Sequence, residues 1–267
     1  MKPATHEIDP DADTIITLKN AGVVFAPWDK KDAGRPLTTN LLAAPSSYLS
    51  SSATNNAPEK KETSSLFGGV QSDSVVPSAA VDKPEDSEPE GIRFKVSSRH
   101  LILASQWFKR ALKKDGWSES SRDPKDGQFH ITAADWDEEA FLILLNILHL
   151  RNRKVPRIVS LEMLAKIAVL IDYYECGEAL EGFTEKWVGS LVAVTPMPLT
   201  YCRDLVLWIW VTWAFSSAAH FERATAVAVK ESTEAFRDLG LPIPPKVSCE
   251  FKKAGLCLRG LTHSSYN

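Results

Sequence analysis

An α+β fold is predicted by the sequence: a small, mainly three-stranded sheet against a five-helix cluster, with a helical extension after it. Three observations lead there. Short β-branched segments fall at residues 13–19, 92–96 and 128–132, where a strand fits better than a helix. From residue 135 onward the apolar residues recur at helical spacing instead. Between the first two strand segments lies a stretch, 38–90, that has neither pattern.

In chain order, Asp13-Thr14-Ile15-Ile16-Thr17-Leu18-Lys19 reads as a strand, Asn20-Ala21-Gly22 as a turn, and Val23-Val24-Phe25 as a second short strand. Residues 38–90 hold eleven Ser, five Pro and two aromatics, Tyr48 and Phe67, with three Lys against eight acidic residues. So few large apolar groups cannot offset the entropy of ordering the backbone, and the stretch reads as a disordered insertion. Ile92-Arg93-Phe94-Lys95-Val96 alternates apolar and basic, as a half-buried strand does. The cost of closing a loop grows only with the logarithm of its length, so a strand pair can tolerate the insertion between its halves.

Ser97 is placed to cap a short helix through Ser105, and a second short helix runs from about Ser105 to Lys113. After a polar loop, Gln128 to Thr132 forms the next strand. Asp135 and Glu138 have the spacing of a capping box. Phe141, Leu144, Leu145 and Leu148 then make one apolar stripe, and Ile143, Ile147 and Leu150 make another. A helix apolar on two sides is central to its domain or meets a partner. Ser160 opens a further helix, and Leu180, Phe183, Trp187 and Leu191 mark the one after it. Beyond the linker Thr195-Pro196-Met197-Pro198, two more helices are expected, at about 199–215 and 218–239, before Pro242, Pro244 and Pro245 end regular structure.

The charge balance, 31 basic against 34 acidic residues, argues against a chain whose main task is to coat nucleic acid or an anionic membrane. Residues 1–15 are acidic and lack the apolar core of a signal peptide. The most apolar run, Leu205 to Phe215, is shorter than the roughly 20 residues needed to span a bilayer, and reads as a buried helix. Four cysteines without a pairing pattern fit the reducing cytoplasm or nucleus.

Several segments together resemble the BTB/POZ domain of filamentous-fungal proteins. Asp13-Thr14-Ile15-Ile16 looks like that family's opening strand. Residues 94–108, Phe94-Lys95-Val96-Ser97-Ser98-Arg99-His100-Leu101-Ile102-Leu103-Ala104-Ser105-Gln106-Trp107-Phe108, are similar to its strand–helix signature ending Ser-Pro-x-Phe, with Gln106 in place of the proline. Phe141 to His149 resembles the helix after the third strand, and Tyr174-Glu175-Cys176 its Tyr-x-Cys. A histidine common in animal members is Ser97 here. The resemblance divides the chain into a BTB/POZ first part at 10–37, the insertion 38–90, a main part at 91–192, a helical extension at 193–245 and an irregular tail at 246–267. It implies a non-enzymatic interaction module, a scaffold or adaptor that binds protein partners, forms a homodimer and docks a cullin-type ubiquitin ligase scaffold. By the same analogy the contact faces belong to the helices at 137–150 and 177–191.

The search for chemistry yields little. No phosphate-binding glycine motif, nucleophile elbow or HExxH occurs, the six histidines are scattered, and the spacing of Cys249 and Cys257 fits no strong zinc signature. No catalytic residue, cofactor or metal is therefore expected. Cys176 and Cys202 read as small buried residues, His149 as a satisfied histidine at a helix end, and His100 as solvent-facing. Arg151, Arg153, Lys154 and Arg157 form the strongest charge feature. They suit a solvated loop that complements a helix C-terminus, and equally the contact with an acidic partner or a phosphate. Without interleaved aromatics they do not suggest a nucleic-acid site. Trp208, Trp210 and Trp213 share one helix and cannot all face one core, so Trp210 and Trp213 face the following helix or a partner. An unrecognised small-ligand binder and a peripheral membrane protein using this Trp-rich helix are the alternatives.

Overall fold

A computed structural model describes residues 5–28, 91–113, 120–231 and 236–247. The chain divides into two units, 1–43 with 90–267 and 44–89, and the described residues all belong to the first. The whole of the insertion, and the tail from residue 248, lie outside the described residues.

The unit is α+β. Its sheet has four strands: β1 (Thr5–Glu7), β2 (Thr14–Lys19), β3 (Ile92–Val96) and β4 (Phe129–Ala134), in the order β1-β3-β2-β4. β2 runs antiparallel to β3, with Ile16 opposite Phe94 and Leu18 opposite Ile92, and parallel to β4 on its other side. The strands on either side of the insertion thus pair as the β-branched segments predict. The sheet differs from the expected three strands by β1, which is parallel to β3 and precedes the expected start at residue 10. Three residues, Thr5-His6-Glu7, carry too little pattern to read as a strand. They are held by the tertiary structure: the His6 ring stacks on Phe94 at 4.9 Å and its Nε2 lies 2.7 Å from Glu138 Oε1. Val23–Phe25 is not a strand. It is held by the helices instead: the Phe25 carbonyl accepts from Arg203, and Lys166 Nζ lies 5.8 Å from the centre of the Phe25 ring.

Gly91 marks where the chain re-enters the sheet. A Cβ there would sit 2.8 Å from both Leu18 O and Thr17 Cγ2, so only glycine lets β3 approach β2 at this point.

The helices bounded within the described residues are α1 (Ser98–Ala104), α2 (Gln106–Ala111), α3 (Glu138–Leu148), α4 (Leu161–Tyr174), α5 (Gly177–Val194), α6 (Arg203–Ala214) and α7 (Ala218–Glu231). Two caps are local, as expected: Ser105 accepts from the Phe108 amide and Ser160 from the Met163 amide. Two others differ. The Ser97 side chain makes no cap bond; Asp13, at the mouth of β2, accepts from the Ser98 amide at 2.7 Å and from the Ser98 hydroxyl at 2.6 Å. α3 is capped by Asp137, whose carboxylate accepts from the Ala140 amide, while Asp135 has a positive φ of 65° and belongs to the turn before it.

α3 is central. Phe141 meets Phe94 of the sheet edge-on at 5.2 Å, and Tyr174 at the end of α4 stacks on Phe108 of α2 at 4.8 Å. The buried Tyr174 hydroxyl accepts from Trp136 Nε1, and Ser105 Oγ donates to the Tyr174 carbonyl. The Tyr-x-Cys segment therefore locks α2, β4 and α4 together. Glu175, in the left-handed conformation, turns the chain into α5 and forms a two-pronged ion pair with Arg110.

The expected extension is built into the same core. α6 is buried from Leu205 to Thr212 and packs between α4 and α7. Arg203 at its start donates to the carbonyls of Phe25 and Ala26 and pairs with Glu162 of α4. That clamp fastens the segment after β2 to both helices.

Candidate interaction surface

Residues 149–160 join α3 to α4 and hold the cationic run. α3 ends in a Schellman motif: the Leu150 amide donates to Ile147 O at 2.9 Å and the Arg151 amide to Asn146 O at 2.8 Å. Leu150 takes the left-handed position, with φ 57°. Asn152–Lys154 then form one 3-10 turn. Val155 and Val159 are buried, and Trp187 Nε1 of α5 donates to Pro156 O at 2.9 Å. The backbone is thus pinned at three points, leaving the side chains between them to project.

Arg153, Lys154 and Arg157 are exposed and Arg151 is half-buried. Among the described residues none of the four forms an ion pair or a side-chain hydrogen bond. They follow the C-terminus of α3, where positive charge favours the exposed carbonyl end of the helix. Two large apolar side chains flank them, Leu150 at 76% exposed and Ile158 at 71%.

The other predicted contact residues fall elsewhere. Trp210 is 2% exposed and its Nε1 donates to Ala165 O of α4 at 3.1 Å, so it is a core residue and not a partner contact. Trp213 is half-buried against Phe221 of α7 at 5.5 Å. Helical spacing separates the faces of α6, but burial by α4 on one side and α7 on the other covers both. The same burial removes α6 as a membrane-interface helix, and no helix among the described residues is long and apolar enough to cross a membrane. α3 is buried nearly all round, so of the two helices expected to offer contact faces only α5 keeps an open side.

His149, the C-cap of α3, is buried and neutral. Its Nδ1–H donates to Leu145 O at 2.8 Å, and its Nε2 accepts the Ser97 amide at 3.0 Å. His100 is half-buried: its ring lies 5.0 Å from that of His149, with Nδ1 buried. Burial, and then the neighbouring His100, holds the His149 pKa below its usual value despite the Leu145 carbonyl, Asp9 and Ser97. A depressed pKa means that the folded state binds fewer protons than the unfolded one as the pH falls below the usual value of 6.5. Stability is therefore expected to fall from pH 7 to pH 5. Replacing His149 with glutamine should flatten that slope in thermal melts; an unchanged slope would assign it to another group.

Asp123, Asp126 and His130 bring three potential ligand atoms within 4.8 Å of one another, a grouping that their sequence spacing does not advertise. Their bonds close the loop before β4: Asp123 accepts from the Lys125 amide, and Asp126 from the Gln128 amide and His130. A depression of about 400 Å³ beside the α3 N-terminus is lined by Asp137, Glu138 and Glu139. Asp137 is engaged by the Ala140 amide and Lys166, and Glu138 by His6. Burial pushes the Cys176 thiol up to about 12, which leaves it an unreactive packing residue.

No family model matches the chain, and no curated protein matches it.

Proposed function

We propose that the chain is a BTB/POZ-type protein–protein interaction module of the cytoplasm or nucleus. In this reading it is a non-enzymatic scaffold or adaptor that self-associates and links a partner to a cullin-type ubiquitin ligase. The element order supports the fold assignment: a strand pair split by an insertion, two short helices, a strand and three helices close around one core.

The observation that carries the interaction role is the α3–α4 loop. Its cations are held on a pinned backbone and, among the described residues, form no ion pair. Folding gains little from that arrangement, whereas a partner surface gains a preorganised charge pattern that steers encounter. α5, which donates the Trp187 pin, also keeps an open polar face with Glu178, Glu181, Glu185 and Lys186 exposed.

Light scattering on the purified full chain tests self-association, and the expected mass is twice 29.5 kDa. Biolayer interferometry against a purified cullin N-terminal domain tests the ligase link, and saturable binding is expected. A monomer that leaves the cullin surface untouched would sink the adaptor reading.

A further inference from the structure

We propose that Leu150 and Ile158, with Arg151, Arg153, Lys154 and Arg157 between them, form a docking surface for an acidic protein segment that carries aliphatic side chains. The proposal rests on the interaction-module reading and names the partner's chemistry.

The argument begins with Leu150, which is in the wrong place for folding. Position 150 is the left-handed residue of a Schellman motif, where glycine is preferred because any Cβ is strained. A leucine there is tolerable if its side chain packs, as that of Leu239 does. Leu239 also has a positive φ, 56°, and lies partly buried against the core. Leu150 has no such return: it points into solvent. Strain and apolar exposure at one residue, with no folding benefit, mark a functional position.

Ile158 repeats the exposure on the far side of the cations, immediately before the buried Val159. The charge on the patch opposes that of the chain, which is net −3 overall. Its complement is an acidic segment. The two aliphatic side chains add a requirement that charge alone does not satisfy: the segment must bring apolar groups of its own. Because Val155, Val159 and the Trp187–Pro156 hydrogen bond already hold the loop, docking loses little entropy on this side. Two aliphatics without an interfacial aromatic make a poor bilayer anchor, and the negative remainder of the chain is repelled by anionic lipid. The patch offers no stacking platform for bases.

The test is an NMR titration of the ¹⁵N-labelled full chain with a synthetic peptide of about 12 residues that alternates leucine with glutamate and aspartate. Saturable shifts confined to residues 150–158 are expected. A peptide with the same charges and serine for leucine should bind about tenfold more weakly. Leu150→Gly should weaken the leucine peptide about tenfold while melting no lower than the parent chain, because glycine suits the left-handed position. Ile158→Ser should also weaken it.

Absence of saturable shifts, equal binding of the serine peptide, or full binding by Leu150→Gly would each overturn the proposal. So would a lower melting temperature of Leu150→Gly, which would give Leu150 a packing role. Co-flotation with vesicles holding about 30% phosphatidylserine would assign the patch to a lipid surface and overturn it too. Light scattering on the same samples keeps the two readings apart: a chain that dimerises but ignores the peptide loses this surface alone.

Discussion

Replacing Asp13 with alanine is expected to lower the unfolding free energy by about 3 kcal/mol, because the change orphans the start of α1 from 85 residues away. The carboxylate accepts two charge-assisted bonds, from the amide and the hydroxyl of Ser98, a buried residue. Alanine leaves both donors without a partner, since the Ser97 side chain makes no cap bond. Arg122 lies 3.2 Å from the same carboxylate but is half in solvent, so its ion pair adds little. Asp13→Asn should recover part of the loss by keeping one acceptor. Urea titrations of the parent chain and the two variants provide the measurement, and a loss below about 1 kcal/mol for alanine would mean that α1 finds another cap.

Acid dependence follows from the same bonds. Burial pushes the Asp13 carboxyl up, but the bonds from Ser98 and Thr14 outweigh it, and the pKa sits below the usual 3.8. A depressed carboxylate contributes stability above its unfolded pKa and loses it as the pH falls through the folded value. Asp137 and Glu162 are depressed in the same way: burial opposes the shift, while the Ala140 amide and Lys166 act on Asp137, and Lys166 and Arg203 on Glu162. The carboxylates' share of the acid loss should therefore lie below about pH 4, beneath the His149 slope, and become shallower in the alanine variant.

Trp210→Ala is expected to cost about 4 kcal/mol without splitting the unfolding transition. The indole is buried between α4 and its own helix, and its N–H reaches the Ala165 carbonyl. Removing it leaves a large cavity on the face where the extension joins the sheet-bearing core. Because Arg203 ties α6 to both α4 and the segment after β2, the damage should spread through the whole unit. Tryptophan fluorescence and far-ultraviolet circular dichroism should lose signal together at a lower urea midpoint. A second transition, with one part surviving the loss of α6, would show that the extension is a separate domain.

Much of this architecture was legible from residue order. The alternation of Ile92 to Val96 and the β-branching of Thr14 to Thr17 mark two strands that pair across the insertion. Helix starts were readable where the cap is local, as at Ser105 and Ser160, because a hydroxyl three residues before an amide is a short-range fact. The cationic run was legible too, as a loop between two helices.

Where the signal is not local, the sequence reading departs from the structure. Ser97 has the right chemistry for a cap, but Asp13 reaches the same helix with two stronger bonds, and no spacing rule connects residues 13 and 98. Trp210 lies on a definable face of its helix. Which element covers that face depends on how α4 and α7 are placed. Leu150 reads as part of an apolar stripe until the left-handed turn carries it out of the core.

Periodicity and turn chemistry, which act over a few residues, were enough to determine the class of the fold, its strand pair and most helix limits. The tertiary structure alone decided which polar groups meet, which aromatic faces are covered and which side chains are left in water. Those outcomes depend on contacts between residues far apart in the chain, and a contact of that kind leaves no mark on the spacing of either partner.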